Sequence, residues 1–194
     1  MRKARIILLF AILLGTLAFV QPVSYQPGSF KPGSEPDGFR GIRWGTPISL
    51  LNQMIQVWEE GDLRYYEKEG DVLEIGGAKL HKIIYVFWND RFLEARTLIP
   101  KNYDPAQDEL YNFNMIKKIC FNKFGEKKKP MFSREQYSWL GDRAWVWLGA
   151  EDPGFLRLNM GSAELQRQRN ALAEEKTRQE EGFRLLKAKE AKGL

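Results

Sequence analysis

The amino-acid sequence predicts an α+β fold, an antiparallel meandering sheet with helices packed on one face, followed by a charged C-terminal helix. Three observations carry this prediction. Strand-like runs are joined by short turns, single helical patterns interrupt them so that a helix-then-strands order occurs twice, and the segment after Gly161 becomes abruptly polar. With 43% hydrophobic residues among 194, the chain has ample apolar material for one ordinary domain core.

The N-terminal segment has the pattern of a secretory leader. Arg2, Lys3 and Arg5 precede an unbroken apolar run from Ile6 to Val20, which is shorter than the ~20 residues that comfortably span a bilayer. We therefore assign residues 1–20 to a signal peptide and expect a periplasmic or secreted protein. An uncleaved N-terminal anchor, attaching the protein to the membrane, is the alternative.

Residues 21–37 contain Pro and Gly every few positions and show no apolar periodicity, which predicts a flexible linker. A single α+β domain is expected over residues 38–161. Within it, Thr46 and Pro47 are typical of a helix start, and the spacing of Ile48, Leu51 and Met54 predicts a first helix that ends near Val57.

Strand signals follow the first helix. We predict strands over Leu63–Lys68 and Asp71–Ile75, a turn at Gly76 and Gly77, and a hairpin of Leu80–Trp88 with Arg91–Ile99 around Asn89 and Asp90. A second helix is expected from Asp104 and Pro105 to Gly125. Its apolar stripe is formed by Leu110, Phe113, Ile116, Ile119, Cys120 and Phe124.

The second half of the domain repeats the hairpin pattern. Glu135–Leu140 and Arg143–Leu148 predict a hairpin around Gly141 and Asp142, and Gly154–Met160 predicts one more strand. Residues 162–194 predict a charged helix in which Leu165, Leu172 and Leu186 keep a seven-residue spacing that Gln179 interrupts. We expect this helix to be exposed to solvent, a partner-binding helix being the alternative.

Charge and composition exclude several classes of function. Removal of the leader takes away three of the 30 basic residues, leaving 27 against 25 acidic ones, and so gives no basic stripe for a nucleic acid. One cysteine and one histidine can form neither a disulfide nor a structural zinc site, so we expect no metal and no cofactor. The compact basic cluster is interpreted as a solvated helix end: Lys117, Lys118, Lys123, Lys127, Lys128 and Lys129.

Motifs that bring a catalytic mechanism with them are not found in the sequence. His81 lies in a predicted strand and is interpreted as an ordinary sheet residue rather than a general base. Cys120 lies on the apolar stripe of the second helix, where a buried and inert thiol is expected. We therefore predict no catalytic residues and a protein that is not an enzyme.

Aromatic side chains are the distinctive feature of both hairpins. Counted outward from the predicted turns, opposite residues share one face of the sheet. In the second hairpin this count places Trp145 and Trp147 among Gln136, Ser138 and Arg143. In the first it places Tyr85, Phe87, Phe92, Glu94, Arg96 and His81 opposite a more apolar face of Leu80, Ile84, Val86, Leu93, Ala95 and Ile99.

These counts predict an open, aromatic side of one sheet. Such side chains are enriched where proteins bind other proteins or sugars. The predicted binding residues are Trp145, Trp147, Arg143, Tyr85, Phe87, Phe92 and Arg96. Covering of this side by the C-terminal helix or by a second copy is the structural alternative.

The opening segment Gly38-Phe39-Arg40-Gly41-Ile42-Arg43-Trp44-Gly45-Thr46-Pro47 carries a resemblance, together with Ile84-Tyr85-Val86-Phe87, Asn89-Asp90-Arg91-Phe92 and Lys123-Phe124-Gly125. On these residues the chain resembles an uncharacterised family of secreted or periplasmic bacterial proteins. The resemblance implies an exported α+β domain and carries over no catalytic residues. The doubled helix-then-strands order also looks like the folds of the β-lactamase-inhibitor protein and of small outer-membrane assembly lipoproteins, which bind proteins through a sheet.

The sequence thus favours a non-enzymatic exported envelope protein, a protein-binding module that uses an aromatic sheet face. The expected partner is an unknown envelope protein or a glycan. Two other classes stay open, a hydrolase of cell-wall or polysaccharide material with acidic residues near that face, and a structural protein that self-associates through its C-terminal helix.

Overall fold

The computed structural model describes residues 30–101, 108–127, 135–152 and 155–190. It confirms the α+β class, with a seven-stranded antiparallel sheet, one helix packed on it and a long C-terminal helix. In chain order the elements are β1 (Gly38–Phe39), β2 (Ile42–Arg43), a 3-10 turn (Ile48–Leu50), β3 (Met54–Glu60), β4 (Leu63–Lys68), β5 (Glu74–Ile75), β6 (Ala78–Lys79), β7 (Lys82–Trp88), β8 (Arg91–Pro100), α1 (Tyr111–Phe124), β9 (Gln136–Leu140), β10 (Ala144–Asp152), β11 (Phe155–Ser162) and α2 (Ala163–Glu190).

The large sheet has the strand order β3-β4-β7-β8-β11-β10-β9. Two meanders, β3 to β8 and β9 to β11, join where β11 pairs with β8, so that β3 and β9 form the edges of the described sheet. β1 with β2 and β5 with β6 form two small separate hairpins. The turn predicted at Gly76 and Gly77 joins β5 to β6, and both glycines have positive φ.

Helix α1 packs on one side of the sheet, which we call the covered face. Its buried side chains include Phe113, Ile116, Cys120 and Phe124, which confirms the predicted apolar stripe, and they pack in one cluster with residues of β7, β8, β10 and β11. The helix ends at Gly125, whose carbonyl accepts a 2.8 Å hydrogen bond from a tryptophan Nε1 of β9. The predicted start at residues 104 and 105 lies outside the described residues.

The other side of the sheet, which we call the open face, carries a smaller apolar cluster at one end. It contains Leu63, Tyr65, Val86, Trp88 and Leu93, and Leu165 from the first turn of α2 completes it. The helix begins where the Ser162 hydroxyl accepts the Leu165 N–H at 3.1 Å, a typical N-cap. Within the part of the chain that the structure describes, the helical cover of the open face is therefore confined to the base of α2.

Three hairpin turns hold the base of α2. Arg169 bonds Asp62 in the β3–β4 turn at 2.9 Å, Arg167 donates to the Asp142 carbonyl in the β9–β10 turn at 2.9 Å, and Gln168 accepts from a β8 arginine next to the β7–β8 turn. Residues 171–181 and 183–189 are exposed. We call 171–190 the arm; as an α-helix it is ~30 Å long.

The prediction of a first helix that starts at Thr46 and Pro47 and ends near Val57 is wrong. Residues 46–57 instead form a bridge from Pro47 to Arg91, a single 3-10 turn and the start of β3. Gln53, at φ +62°, redirects the chain, after which the β-branched and aromatic stretch Ile55–Trp58 pairs with β4. Strand pairing overrides the helical spacing. In the first of the two predicted helix-then-strands units, a single 3-10 turn therefore stands where the helix was expected.

The end of the predicted linker packs on the domain rather than remaining flexible. The Phe30 ring packs edge-on against Phe124 at 5.4 Å, and the backbone N–H of Lys31 donates to the Phe124 carbonyl at 2.8 Å. Glu35 accepts backbone N–H groups of the β9–β10 turn, and Trp44 Nε1 donates to the Pro36 carbonyl at 3.0 Å. Residues 30–37 therefore form a strap along the domain.

Candidate binding face

The middle of the open face is a row of side chains that crosses five strands. Cross-strand pairing aligns Ile84 with Arg96, Arg96 with Asn159, Asn159 with Trp147, and Trp147 with Ser138. Opposite residues in antiparallel strands point to the same side. Ser138 is exposed and the other four are half-buried, in contrast to the buried residues on the covered face. We call these five residues the central row.

Two glycines let the indoles of β10 lie against the sheet. A Cβ at Gly161 would lie 2.9 Å from Cζ2 of Trp145, and one at Gly149 would lie 3.0 Å from Cζ2 of Trp147. Each glycine thus provides space that any larger residue would take from an indole ring. The two rings are half-buried and contribute aromatic surface to the open face.

Two buried polar atoms of this region are Nε1 of the Trp145 indole and Oδ1 of the neighbouring Asn159. Neither has a hydrogen-bond partner among the described residues. One is a donor and the other an acceptor, and their residues are diagonal neighbours on β10 and β11. Buried polar groups are nearly always satisfied in proteins. Ordered water or a partner's polar group would complete this pair.

Arg96 is held in position by its neighbours on the open face. Its Nε and Nη2 donate to the two oxygens of Glu94 at 2.9 and 3.1 Å, and its guanidinium lies 5.4 Å from the centre of the Tyr65 ring. Burial raises the pKa of Tyr65, and the positive charge of Arg96 opposes this rise. The buried Glu94 carboxylate therefore orients a half-exposed guanidinium.

The structure brings together three of the predicted binding residues, Trp145, Trp147 and Arg96, on the open face. The β9–β10 turn contains Asp142 and Arg143 rather than Gly141 and Asp142, because Leu140 pairs with Trp145. This moves the predicted register by two residues, which leaves the faces unchanged since side chains alternate with a period of two. Arg143 itself lies in the turn, exposed and 3.7 Å from Glu35.

The prediction of exposed binding residues is wrong for Tyr85, Phe87 and Phe92, because all three are buried on the covered face. The predicted turn is correct, but a β-bulge adds one unpaired residue to β8 directly after Phe92. As a result, Tyr85 pairs with Ala95 and not with Glu94. The carbonyl of Phe92 accepts a hydrogen bond from the backbone N–H of Gly45, and the N–H of Phe92 donates to the carbonyl of Thr46. A one-residue shift exchanges the faces of a strand, which separates Arg96 from these aromatic residues.

Tyr85 has a structural role inside the covered face. Its hydroxyl donates to Asp71 at 2.6 Å, and Asp71 also forms an ion pair with Arg40. Burial, followed by the hydrogen bond to Asp71, raises the pKa of Tyr85 well above its ordinary value. This phenol links the sheet to the loop before β5.

Two contributors to the open face, Asn159 and Trp58, are not among the predicted binding residues. Asn159 becomes adjacent to Arg96 and Trp147 only because β11 inserts between β8 and β10. The predicted first helix ends near Val57 and leaves Trp58 unassigned, whereas Trp58 belongs to β3 and its ring stacks on that of Tyr65 with the ring centres 4.4 Å apart. The alternation of Ile55, Val57 and neighbouring polar residues is the signal that would have favoured a strand there.

A separate cleft of about 450 Å³ lies between α1 and the β1–β2 hairpin. Its lining is mainly apolar and includes Phe39, Ile116, Cys120 and Met160, with Arg40 and Lys123 also contributing. Burial raises the pKa of the Cys120 thiol to about 12, so it stays protonated at neutral pH. The expectation of an inert thiol agrees with this environment. His81, predicted in a strand, lies exposed just before β7.

Among the described residues, no group of three or more His, Cys, Asp or Glu side chains could hold a metal ion. The same part of the chain contains no helix that is both long and apolar enough to cross a membrane. No protein-family model matches the chain, and no curated protein or solved structure matches it.

Proposed function

We propose that the protein is exported to the cell envelope and acts there as a non-enzymatic binding module for another envelope protein. The observation that carries the proposal is the central row, which the described helices leave uncovered. Its members combine an indole, a fixed guanidinium and short polar groups. Arg and Trp are the types that contribute most at protein interfaces.

Several features support the open face as a preformed binding surface. Arg96 is fixed by Glu94 and Tyr65, and the indoles of Trp145 and Trp147 rest on the sheet at glycine positions. Such preorganisation lowers the conformational entropy lost on binding. The unbonded Trp145 Nε1 lies in the same patch and is a donor that a partner can satisfy directly or through water.

Export rests on the N-terminal sequence, in which three basic residues precede the apolar run of residues 6–20. This segment lies outside the described residues. Hydrolysis of cell-wall material stays a sequence-based alternative. The buried carboxylate of the open face, Glu94, is bonded to Arg96, which supports a positioning role for it rather than acid–base chemistry.

Site-specific photocrosslinking in cells tests the proposal. The photoreactive residue p-benzoylphenylalanine is introduced at Ser138, an exposed position at the end of the central row, and at Asn122, an exposed position on α1, as the matched control. We expect a discrete protein adduct from position 138 and none from position 122. Equal adducts from both positions, no adduct, or an adduct that only a glycan-degrading enzyme collapses would contradict a protein partner on this face.

A further inference from the structure

The edge strand β3 differs from the rest of the sheet in its exposed side chains. Among strand residues whose side chains are described, large hydrophobic groups are exposed only there: Ile55 at 53%, Val57 at 46% and Trp58 at 54%. The exposed side chains of the opposite edge, β9, are Gln136 and Ser138, which are polar. The two edges therefore present different chemistry to solvent.

An edge strand also presents backbone N–H and C=O groups that can pair with another strand. Proteins commonly protect such edges with Lys, Pro or charged residues along the strand. In β3 the charged residues, Glu59 and Glu60, stand only at its C-terminal end, and the first five residues, Met54–Trp58, are uncharged. The middle of this edge therefore combines apolar side chains with a row of backbone groups.

A bulge gives β3 an unusual apolar surface. Ile55 and Trp58 are three residues apart, yet both lie on the open face, because the pairing with β4 shifts at Val57. Trp58 is held there by its stack on Tyr65, with ring centres 4.4 Å apart and planes inclined by 24°. The exposed indole is thus fixed before any partner arrives.

We propose that β3 pairs in antiparallel fashion with β3 of a second copy of this chain, about a two-fold axis perpendicular to the sheet. In this register Ile55 lies opposite Trp58 of the second copy, and Gln56 lies opposite Val57 of the second copy. Because the axis is perpendicular to the sheet, both open faces lie on the same side. Each Ile55 then meets an indole on that side, an aromatic–β-branched pair that stabilises sheets.

Charge complementarity favours a second copy as the occupant. In the same register Glu59 lies opposite Met54 of the second copy, which is itself the partner of Lys68 on β4. Glu59, Met54 and Lys68 lie on the covered side of their strands. The Glu59 carboxylate, whose Oε2 lies 3.7 Å from Nε of Arg64 in its own copy, therefore lies on the same side as Lys68 of the other copy, with Met54 between them, and this arrangement occurs twice across the axis. The acidic ends of the two strands lie apart, which avoids like-charge repulsion.

Sedimentation of the protein purified from cells that express the full chain tests this pairing. We expect the average mass to rise toward twice the single-chain value as concentration increases. The double variant Ile55→Lys with Trp58→Lys should stay at the single-chain mass, since it places a charge on each apolar contact. The matched control is Leu50→Lys, at a 72% exposed hydrophobic residue outside the sheet, and it should behave like the wild type.

Far-UV circular dichroism establishes that each variant keeps its fold. The register is tested separately by mixing the single variants Ile55→Cys and Trp58→Cys, a pair of which keeps one Ile55–Trp58 contact and should oxidise to a covalent dimer, whereas the buried Cys120 should not crosslink the wild type. A wild type that stays at the single-chain mass at every concentration would overturn the proposal. So would association that survives the double lysine variant, or association that is lost only when the arm is removed.

Discussion

Single side chains hold distant parts of this fold together. Glu35 of the strap reaches the β9–β10 turn, where its Oε1 accepts the backbone N–H groups of Arg143 at 2.5 Å and Ala144 at 2.7 Å. A Cβ at Gly141 would collide with this carboxylate. The glycine therefore makes room for Glu35, which both closes the turn and attaches the strap.

We expect Glu35→Ala to destabilise the protein by about 1–3 kcal/mol, because two backbone N–H groups lose a charged acceptor. Urea unfolding followed by tryptophan fluorescence measures the change. Glu35→Gln is the matched control, since its amide oxygen can still accept one or both bonds, and it should lose clearly less stability. Equal stability of Glu35→Ala and the wild type would show that the strap contributes nothing to the domain.

Cys120 gives a second prediction for a single residue. Burial raises its thiol pKa to about 12, so the thiolate that reacts with disulfide reagents is scarce at pH 8. We expect no reaction with an aromatic disulfide reagent in the native protein and one equivalent per chain in guanidinium chloride. Rapid reaction of the native protein would mean that the cleft beside α1 admits the reagent and activates the thiol.

Helix α2 is attached to the sheet mainly by polar and charged contacts, because Leu165 is its main apolar contribution to the open face. Hydrogen bonds from Arg169 lower the pKa of Asp62 below its ordinary value of 3.8, although burial opposes them. A carboxylate whose pKa is lower in the folded state stabilises the fold above its unfolded pKa. This contribution is lost as the pH falls through the folded value.

The pH dependence of Asp62→Asn tests this contact. At neutral pH the variant should unfold at a lower urea concentration than the wild type, because Arg169 loses its charged partner. The difference should shrink as the pH falls below 3.8, where Asp62 of the wild type becomes protonated. A difference that stays constant from pH 7 to strongly acidic pH would exclude the ion pair as its cause.

Elements with a strong local pattern could be predicted from the sequence, whereas relations between elements could not. The apolar stripe of α1 and the Asn89–Asp90 turn follow from spacing and turn chemistry, and both are present. The bulge after Phe92 depends on backbone bonds to residues 45 and 46, a contact between distant segments. That bulge decided which predicted binding residues became core.

The second hairpin shows why the sequence nevertheless placed Trp145 and Trp147 together on one side of the sheet. Its turn was misplaced by one residue, which moves the pairing by two and keeps Trp145 and Trp147 on the open face. Asn159 could not be assigned to the site, because no local pattern shows that β11 lies between β8 and β10. Sheet order is a property of the whole chain.

At the scale of the whole molecule, we expect the arm to contribute little to the stability of the domain. Leu165, Arg167 and Arg169 attach the base of α2, whereas the side chains of residues 171–189 are exposed apart from Gly182. Deleting residues 171–194 should lower the helix signal in circular dichroism but leave the urea midpoint nearly unchanged. Deletion from residue 163 onward should lower that midpoint, because Leu63, Tyr65 and Trp88 lose their cover.

A binding role requires that the open face is accessible in the isolated protein and occupied in the cell. Hydroxyl-radical footprinting with mass spectrometry measures this at Trp147, with Tyr111 on α1, which is 45% exposed, as the internal control. We predict that Trp147 is oxidised in the purified protein and protected in the intact envelope, while Tyr111 is oxidised equally in both. Equal oxidation of Trp147 in both samples, or protection already in the purified protein, would contradict a binding role for this face.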